Sequence, residues 1–246
     1  MGEDMIIDCE TCIGCGNCVF TCTVEAIHLK DDKAEIDREA CVECGNCLRI
    51  AECPTDALQQ DELTWPRIVR KYFSDNQFKW PEEIRYTTGY GRGTEECKTN
   101  DRTGKFKRGE VGVLVELGRP NTGTSLKNTE KIIQTLMQAG AEMAQKSPLT
   151  ALLRDKTKGI LPDELRNERV LSCIVEAKVK LENLEKALTL LKQVSAELDT
   201  VFSLGLVTRM EGGFISPIEP VLKKMGLQVR PNAKINVGLG KPRCED

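Results

Sequence analysis

The sequence predicts an α+β protein in two unequal parts, a small cysteine-rich head followed by a larger body of mixed helix and strand. Three observations predict it. Nine of the twelve cysteines fall between Cys9 and Cys53, the same stretch repeats itself, and residues 111–209 switch between strand and helix periodicity. A length of 246 residues allows a small domain plus a larger one, and 40% apolar residues can build a buried core. The divisions expected are residues 1–62, a connector over 63–110, and a body over 111–246.

The head contains an internal repeat. Residues 7–18 (IDCETCIGCGNC) line up with residues 36–47 (IDREACVECGNC) at an offset of 29. Downstream, residues 22–27 (CTVEAI) match 53–58 (CPTDAL) at an offset of 31, so the second copy has gained two residues before its last cysteine. The alignment puts Arg38 opposite Cys9. Arginine cannot ligate iron, so Cys9 is not expected to be a ligand.

The remaining eight cysteines read Cys-x2-Cys-x2-Cys-x3-Cys and Cys-x2-Cys-x2-Cys-x5-Cys-Pro. Three thiolates at this spacing can wrap three corners of an iron–sulfur cubane, while the short arc cannot close round the fourth. Over about residues 5–60 the pattern resembles the bacterial-type dicluster ferredoxins, whose fourth cysteine in each run ligates the other cluster. The resemblance implies two [4Fe–4S] clusters, one on Cys12, Cys15, Cys18 and Cys53 and the other on Cys41, Cys44, Cys47 and Cys22. Two departures stand out. Thr23 occupies the position where the family has proline, and the insertion enlarges the loop that delivers Cys53. Neither removes a ligand. Structural zinc would ask for two separated Cys-x2-Cys pairs rather than two triplets. A secreted disulfide scaffold would spread its cysteines through a short chain lacking a core. Reduced thiolates in the cytoplasm of an organism living with little oxygen fit the pattern better.

Between the copies, residues 27–30 and 33–36 flank Asp31-Asp32 as a hairpin. His28, the only histidine, reads as a strand-surface residue. The connector holds seven of the eleven aromatics within residues 65–90, and Trp65-Pro66 and Trp80-Pro81 read as entries to short helices. These rings either pack the head onto the body or offer a surface to another subunit. Residues 88–93 (TGYGRG) and the cations Lys98, Arg102, Lys105, Lys107 and Arg108 have no strand–loop–helix frame for a nucleotide, so a loop is expected.

In the body, strands are expected at 111–117, 148–154, 170–179 and 200–209, with helices at 128–138 and 181–198. A last helix at 216–225 and an edge strand at 233–238 follow. The order strand–helix–strand–strand–helix–strand is that of the ferredoxin-like βαββαβ plait, similar in pattern to ACT-like ligand-sensing domains. Cys173 is expected to be a small buried residue of a strand.

Composition excludes several functions. One histidine, placed in the head, leaves no Ser–His–Asp or Cys–His constellation. No run of eighteen apolar residues occurs and the first eight residues carry no signal-peptide pattern, so neither a membrane span nor a signal peptide is expected. Residues 1–62 carry 15 acidic and 4 basic side chains, whereas the chain as a whole has a net charge of −3. An acidic head on a basic body does not suit a nucleic-acid binder. It suits a low-potential electron carrier or oxidoreductase subunit whose acidic residues, among them Glu10, Glu39 and Glu43, steer a redox partner. Two other readings stay open: a redox or metabolite sensor using an ACT-like body, and a reductant module for sulfur transfer or cofactor activation. The C-terminal domain also offers a route to a homo-oligomer.

Overall fold

Each triplet of cysteines runs straight into a short helix. Gly16 and Gly45 sit before α1 (Asn17–Thr21) and α2 (Asn46–Ile50) with left-handed backbones, φ 80° and 69°, a conformation that glycine adopts without a Cβ penalty. Strand β1 (Met5–Ile7) pairs antiparallel with β4 (Leu58–Gln60), and β2 (Ile27–Lys30) with β3 (Lys33–Ile36). The β2–β3 loop turns on Asp31 and Asp32, both at positive φ, as a tight two-residue hairpin requires. This computed structural model describes residues 5–82, 105–145, 147–212 and 215–229.

The body is built on β5 (Glu110–Leu117), β7 (Glu142–Met143), β9 (Cys173–Lys180) and β10 (Phe202–Thr208), hydrogen-bonded in the order β10-β5-β9-β7 with every neighbour antiparallel. A two-stranded pair, β6 (Thr124–Ser125) with β8 (Arg169–Val170), stands beside it. Alternation along β5 aims Val111, Val113, Val115 and Leu117 at one face. There they lie opposite Val179, Ala177, Val175 and Cys173 of β9, all buried. Helices α4 (Leu126–Gln138) and α6 (Leu184–Val194) cover that face. Ile132, Ile133 and Leu136 of α4 and Leu184 and Leu191 of α6 are essentially inaccessible to water, each stabilising the fold by about 1.5–3 kcal/mol relative to exposure.

Helix α4 has legible ends. The Ser125 hydroxyl accepts from the Asn128 N–H at 3.4 Å. At the other end Gly140, at φ 80°, donates to Met137 and the next N–H donates to Leu136, the double bond of a Schellman stop. Residues 148–154, expected as a strand, instead begin with helix α5 (Pro148–Leu152). Pro148 cannot donate to a sheet ladder but fits a first helical turn. The sheet takes its fourth strand from β7, two residues too short to display a period. The long helix expected at 181–198 is α6 with a 3-10 turn at each end. The last helix, α7 (Glu219–Lys224), is shorter than expected. The edge strand expected at 233–238 lies outside the described residues, as do Cys97, residues 88–93, Lys98 and Arg102.

Helix α3 (Ile68–Ser74) joins head to body. Tyr72 and Phe73 enter the body core with Trp80, ring centroids 4.9 and 5.3 Å from the Trp80 ring. Among the described connector aromatics, Tyr72, Phe73 and Trp80 are therefore packed inward, whereas Trp65 keeps about half of its surface exposed and donates to Glu164 at 3.4 Å. Tyr86 and Tyr90 lie outside the described residues. Ser74 accepts from the Leu171 N–H at 2.8 Å. From the other side of α3, Arg70 reaches into the head. It is 2% exposed and donates to the carbonyls of Arg38, Glu39 and Cys41, while its Nε pairs with Glu168 of the body. Arg70→Met would keep the side chain's bulk but strand Glu168 and three carbonyls. It is expected to cost about 3–5 kcal/mol of unfolding free energy in an anaerobic denaturant titration. A loss below about 1 kcal/mol, the range of a surface pair, would place the join elsewhere.

Candidate metal centres

The head contains two small hollows, each partly open to solvent. The walls of the first include Cys12, Cys15, Cys18 and Cys53 with Ile7, Ala34 and Ala57. The second is walled by Cys22, Cys41, Cys44 and Cys47 with Met5, Ile27 and Ile36. Each hollow thus takes three cysteines from one repeat and one from the other. The sequence-predicted eight are all accounted for, four to a hollow. Cys9 is exposed and belongs to neither wall, and neither does His28, which lies on the outer strand 3.8 Å from Glu35.

Burial disfavours the charged form of several of these thiols. Burial pushes the Cys47 thiol up to about 12, helped by Cys44 and Cys22. Burial likewise pushes Cys41 up, with the Glu43 carboxylate adding to it. Cys18 rises through burial and through Cys12, Cys15 and Cys53. Burial also acts to raise Cys53, but N–H donors of Thr55, Ala57 and Leu58 and the Thr55 hydroxyl outweigh it and its net shift is downward. Cysteine ligands give up their protons when a metal binds. Hydrogen-bond donors already point at the sulfurs. The Ala26 N–H lies 3.1 Å from Cys22 Sγ and the Ala57 N–H 3.4 Å from Cys53 Sγ, at matching positions of the two repeats. The Ala34 N–H lies 3.5 Å from Cys12 Sγ. Thr23, standing at the family's proline position, puts its hydroxyl 3.7 Å from Cys44 Sγ. Among the described residues no three His, Cys, Asp or Glu side chains converge on a single ion-sized point. The thiols are instead set around two volumes, which is what a cubane needs.

The two hollows share a cysteine pattern but not their surroundings. Gly14 lies under the Asp31-Asp32 turn, where a Cβ would fall 2.2 Å from the Asp32 carbonyl oxygen. Its repeat partner Glu43, also at positive φ, is fully buried. Arg67 donates to one Glu43 oxygen at 2.7 and 3.0 Å and Gln60 to the other at 2.9 Å. Glu43 was expected among the steering acids, but it is tied up inside the protein and cannot act at the surface. Phe20 in α1 is 89% exposed, whereas its partner Arg49 in α2 pairs with Asp75 at 3.2 Å and donates to the Cys44 carbonyl and Asn46. Arg38, opposite the exposed Cys9, offers its carbonyl to Arg67 and Arg70. The second repeat is thus held through Glu43, Arg49 and the Arg38 carbonyl, three places where the first repeat carries Gly14, Phe20 and Cys9. These contacts escape the cysteine pattern, although the mismatches Gly14/Glu43 and Phe20/Arg49 are visible in the repeat alignment itself.

Elsewhere, Cys173 is buried and within 3.1 Å of the Thr129 hydroxyl, a core position rather than a site. Lys105 pairs with Glu176 at 2.8 Å and Arg108 donates to the Met210 carbonyl, so the described end of the basic loop lies along the sheet. No helix among the described residues is long and apolar enough to cross a membrane.

Comparison with known proteins agrees with the geometry of the head. Residues 11–57 match the model of the 4Fe-4S dicluster domain family. A segment of 34 residues is 50% identical to Ferredoxin-2 of Desulfomicrobium norvegicum, covering 14% of this chain and 58% of that protein. No solved structure matches the chain. The paired hollows, their eight thiols and the family match together identify residues 11–57 as a 4Fe-4S dicluster domain carrying two [4Fe–4S] clusters.

Proposed function

We propose that this chain is a low-potential electron-transfer protein or subunit, with Cys12, Cys15, Cys18 and Cys53 holding one cluster and Cys41, Cys44, Cys47 and Cys22 the other. The observation that carries the reading is the composition of the two hollows, each walled by three cysteines of one repeat and one of the other. Bound clusters supply one-electron chemistry. The chain's own part is to hold them, exclude water from most of their surface and set their potentials through N–H and O–H donors. Its partner is an oxidoreductase or another subunit of one, in a reducing cytoplasm.

The body would then be an ACT-like plait that docks or positions the head. The strand order β10-β5-β9-β7, with helices α4 and α6 covering the face that carries Val113 and Val175, supports this. The short β7 and the interposed α5 depart from the simple βαββαβ order. Fold alone assigns no ligand to it.

Anaerobically purified protein is expected to contain about eight irons and eight sulfides per chain. Stoichiometric zinc in their place would sink the assignment. Cys15→Ser and Cys44→Ser should each lose or degrade one cluster, while Cys9→Ser keeps both. Loss of a cluster on changing Cys9 would mean that the ligand register is wrong. Thr23→Val removes a donor from Cys44 and should lower the potential of that cluster by roughly 20–60 mV. That range is the one-electron equivalent of a net hydrogen bond of about 0.5–1.5 kcal/mol. Spectroelectrochemistry under argon reads this shift, and an unchanged or higher potential would deny the hydroxyl that role.

A further inference from the structure

Resting on the electron-transfer reading, we infer that the face of the first repeat around Phe20 and Ile13 is where the head exchanges electrons with a partner protein, one that presents an apolar centre ringed by lysine and arginine. The argument begins from the repeat. The corresponding face of the second repeat is already an interface: Arg49 meets Asp75, Glu43 meets Arg67, and Arg38 offers its carbonyl to Arg67 and Arg70. In the first repeat Phe20 and Gly14 stand in place of Arg49 and Glu43, and neither carries a charge with which to hold the body. What they leave is an open apolar face beside a cysteine-lined hollow.

Phe20 is 89% and Ile13 62% exposed. Leu29 and Phe20 both lie 3.9 Å from where a Cβ on Gly16 would stand, so the two side chains flank the start of α1. Ile13 and Gly16 line the first hollow together with the exposed Cys15. An aromatic ring left almost wholly in water beside two aliphatic side chains is an unusual expense for a surface with no partner. The cluster held by Cys12, Cys15 and Cys18 would lie directly behind this patch, whereas the other site faces the body.

Charge names the chemistry of the occupant. Asp31 and Asp32 turn over Gly14 at one margin, and Glu52 accepts through its carbonyl from Asn17 at another. All three carboxylates are exposed. The whole head carries 15 acidic against 4 basic side chains over residues 1–62. An apolar centre with an acidic margin is complementary to a basic-rimmed apolar patch, and the margin steers the encounter.

The test uses the full-length holoprotein, reduced by dithionite and freed of excess reductant. It is mixed by stopped flow with oxidised cytochrome c, a small basic haem protein, and separately with ferricyanide, a small acceptor that needs no docking surface. Phe20→Ala should slow cytochrome c reduction roughly tenfold, as truncation of an interface anchor does. Its iron content and its rate with ferricyanide should match the wild type. Ile13→Ala should act in the same direction, Asp31→Asn with Asp32→Asn should flatten the salt dependence of the rate, and Ile215→Ala, at an exposed isoleucine of the body, should change nothing. Wild-type rates with cytochrome c in both Phe20→Ala and Ile13→Ala, each with full iron, would overturn the docking face while leaving the carrier reading intact. A reduced wild-type protein that passes electrons to neither acceptor would overturn both.

Discussion

Arg70 is the contact on which the arrangement of the two parts depends. A guanidinium out of reach of water needs an acceptor for nearly all of its N–H groups, and few places in a protein can supply them. Here they come from three carbonyls of the loop leading into the second cysteine triplet and from Glu168 of the body. Because α3 also sends Tyr72 and Phe73 into the body core, the charge cannot be withdrawn without unpacking that core. The second hollow is thereby tied to the body through the Arg70 side chain. Arg67 on Glu43 and Arg49 on Asp75 lie on either side and keep the same loop from rotating.

The two metal centres consequently occupy different environments despite near-identical ligand runs. Solvent exposure and hydrogen bonding to sulfur govern cluster potential, and both differ between the sites. Cys44 is half-buried beneath Arg49 and faced by Thr23, whereas Cys15, at the matching position, is exposed.

Much of the head was legible in the sequence because its signals are chemical identities. A thiol, a glycine at positive φ or a two-residue turn states a local requirement that no distant residue needs to complete. The two runs of four cysteines could be read from the repeat for the same reason, whereas the crossing of each fourth cysteine to the other cluster was implied only by the resemblance to dicluster ferredoxins. Helix α4 was legible too, through its apolar face and the Gly140 stop. Residues 148–152 were not, since Pro-Leu-Thr-Ala-Leu has an apolar spacing that fits either a strand or a single helical turn. Strand β7 is held in place by β9 rather than by its own two residues. Least legible was the join. Arg70 and Glu168 are almost a hundred residues apart in the chain, and an arginine in an aromatic-rich stretch looks like any surface cation until its burial is known.

The walls of the hollows carry a last consequence. Neither repeat encloses a complete one, because the fourth cysteine always arrives from the other half. A single copy of this motif could close a hollow only by pairing with a second copy, each lending its final cysteine across the shared axis. The head is therefore the covalent form of a reciprocal exchange between two like units. Its halves are interdependent in a way that their resemblance conceals: either half, taken without the other, walls neither hollow completely.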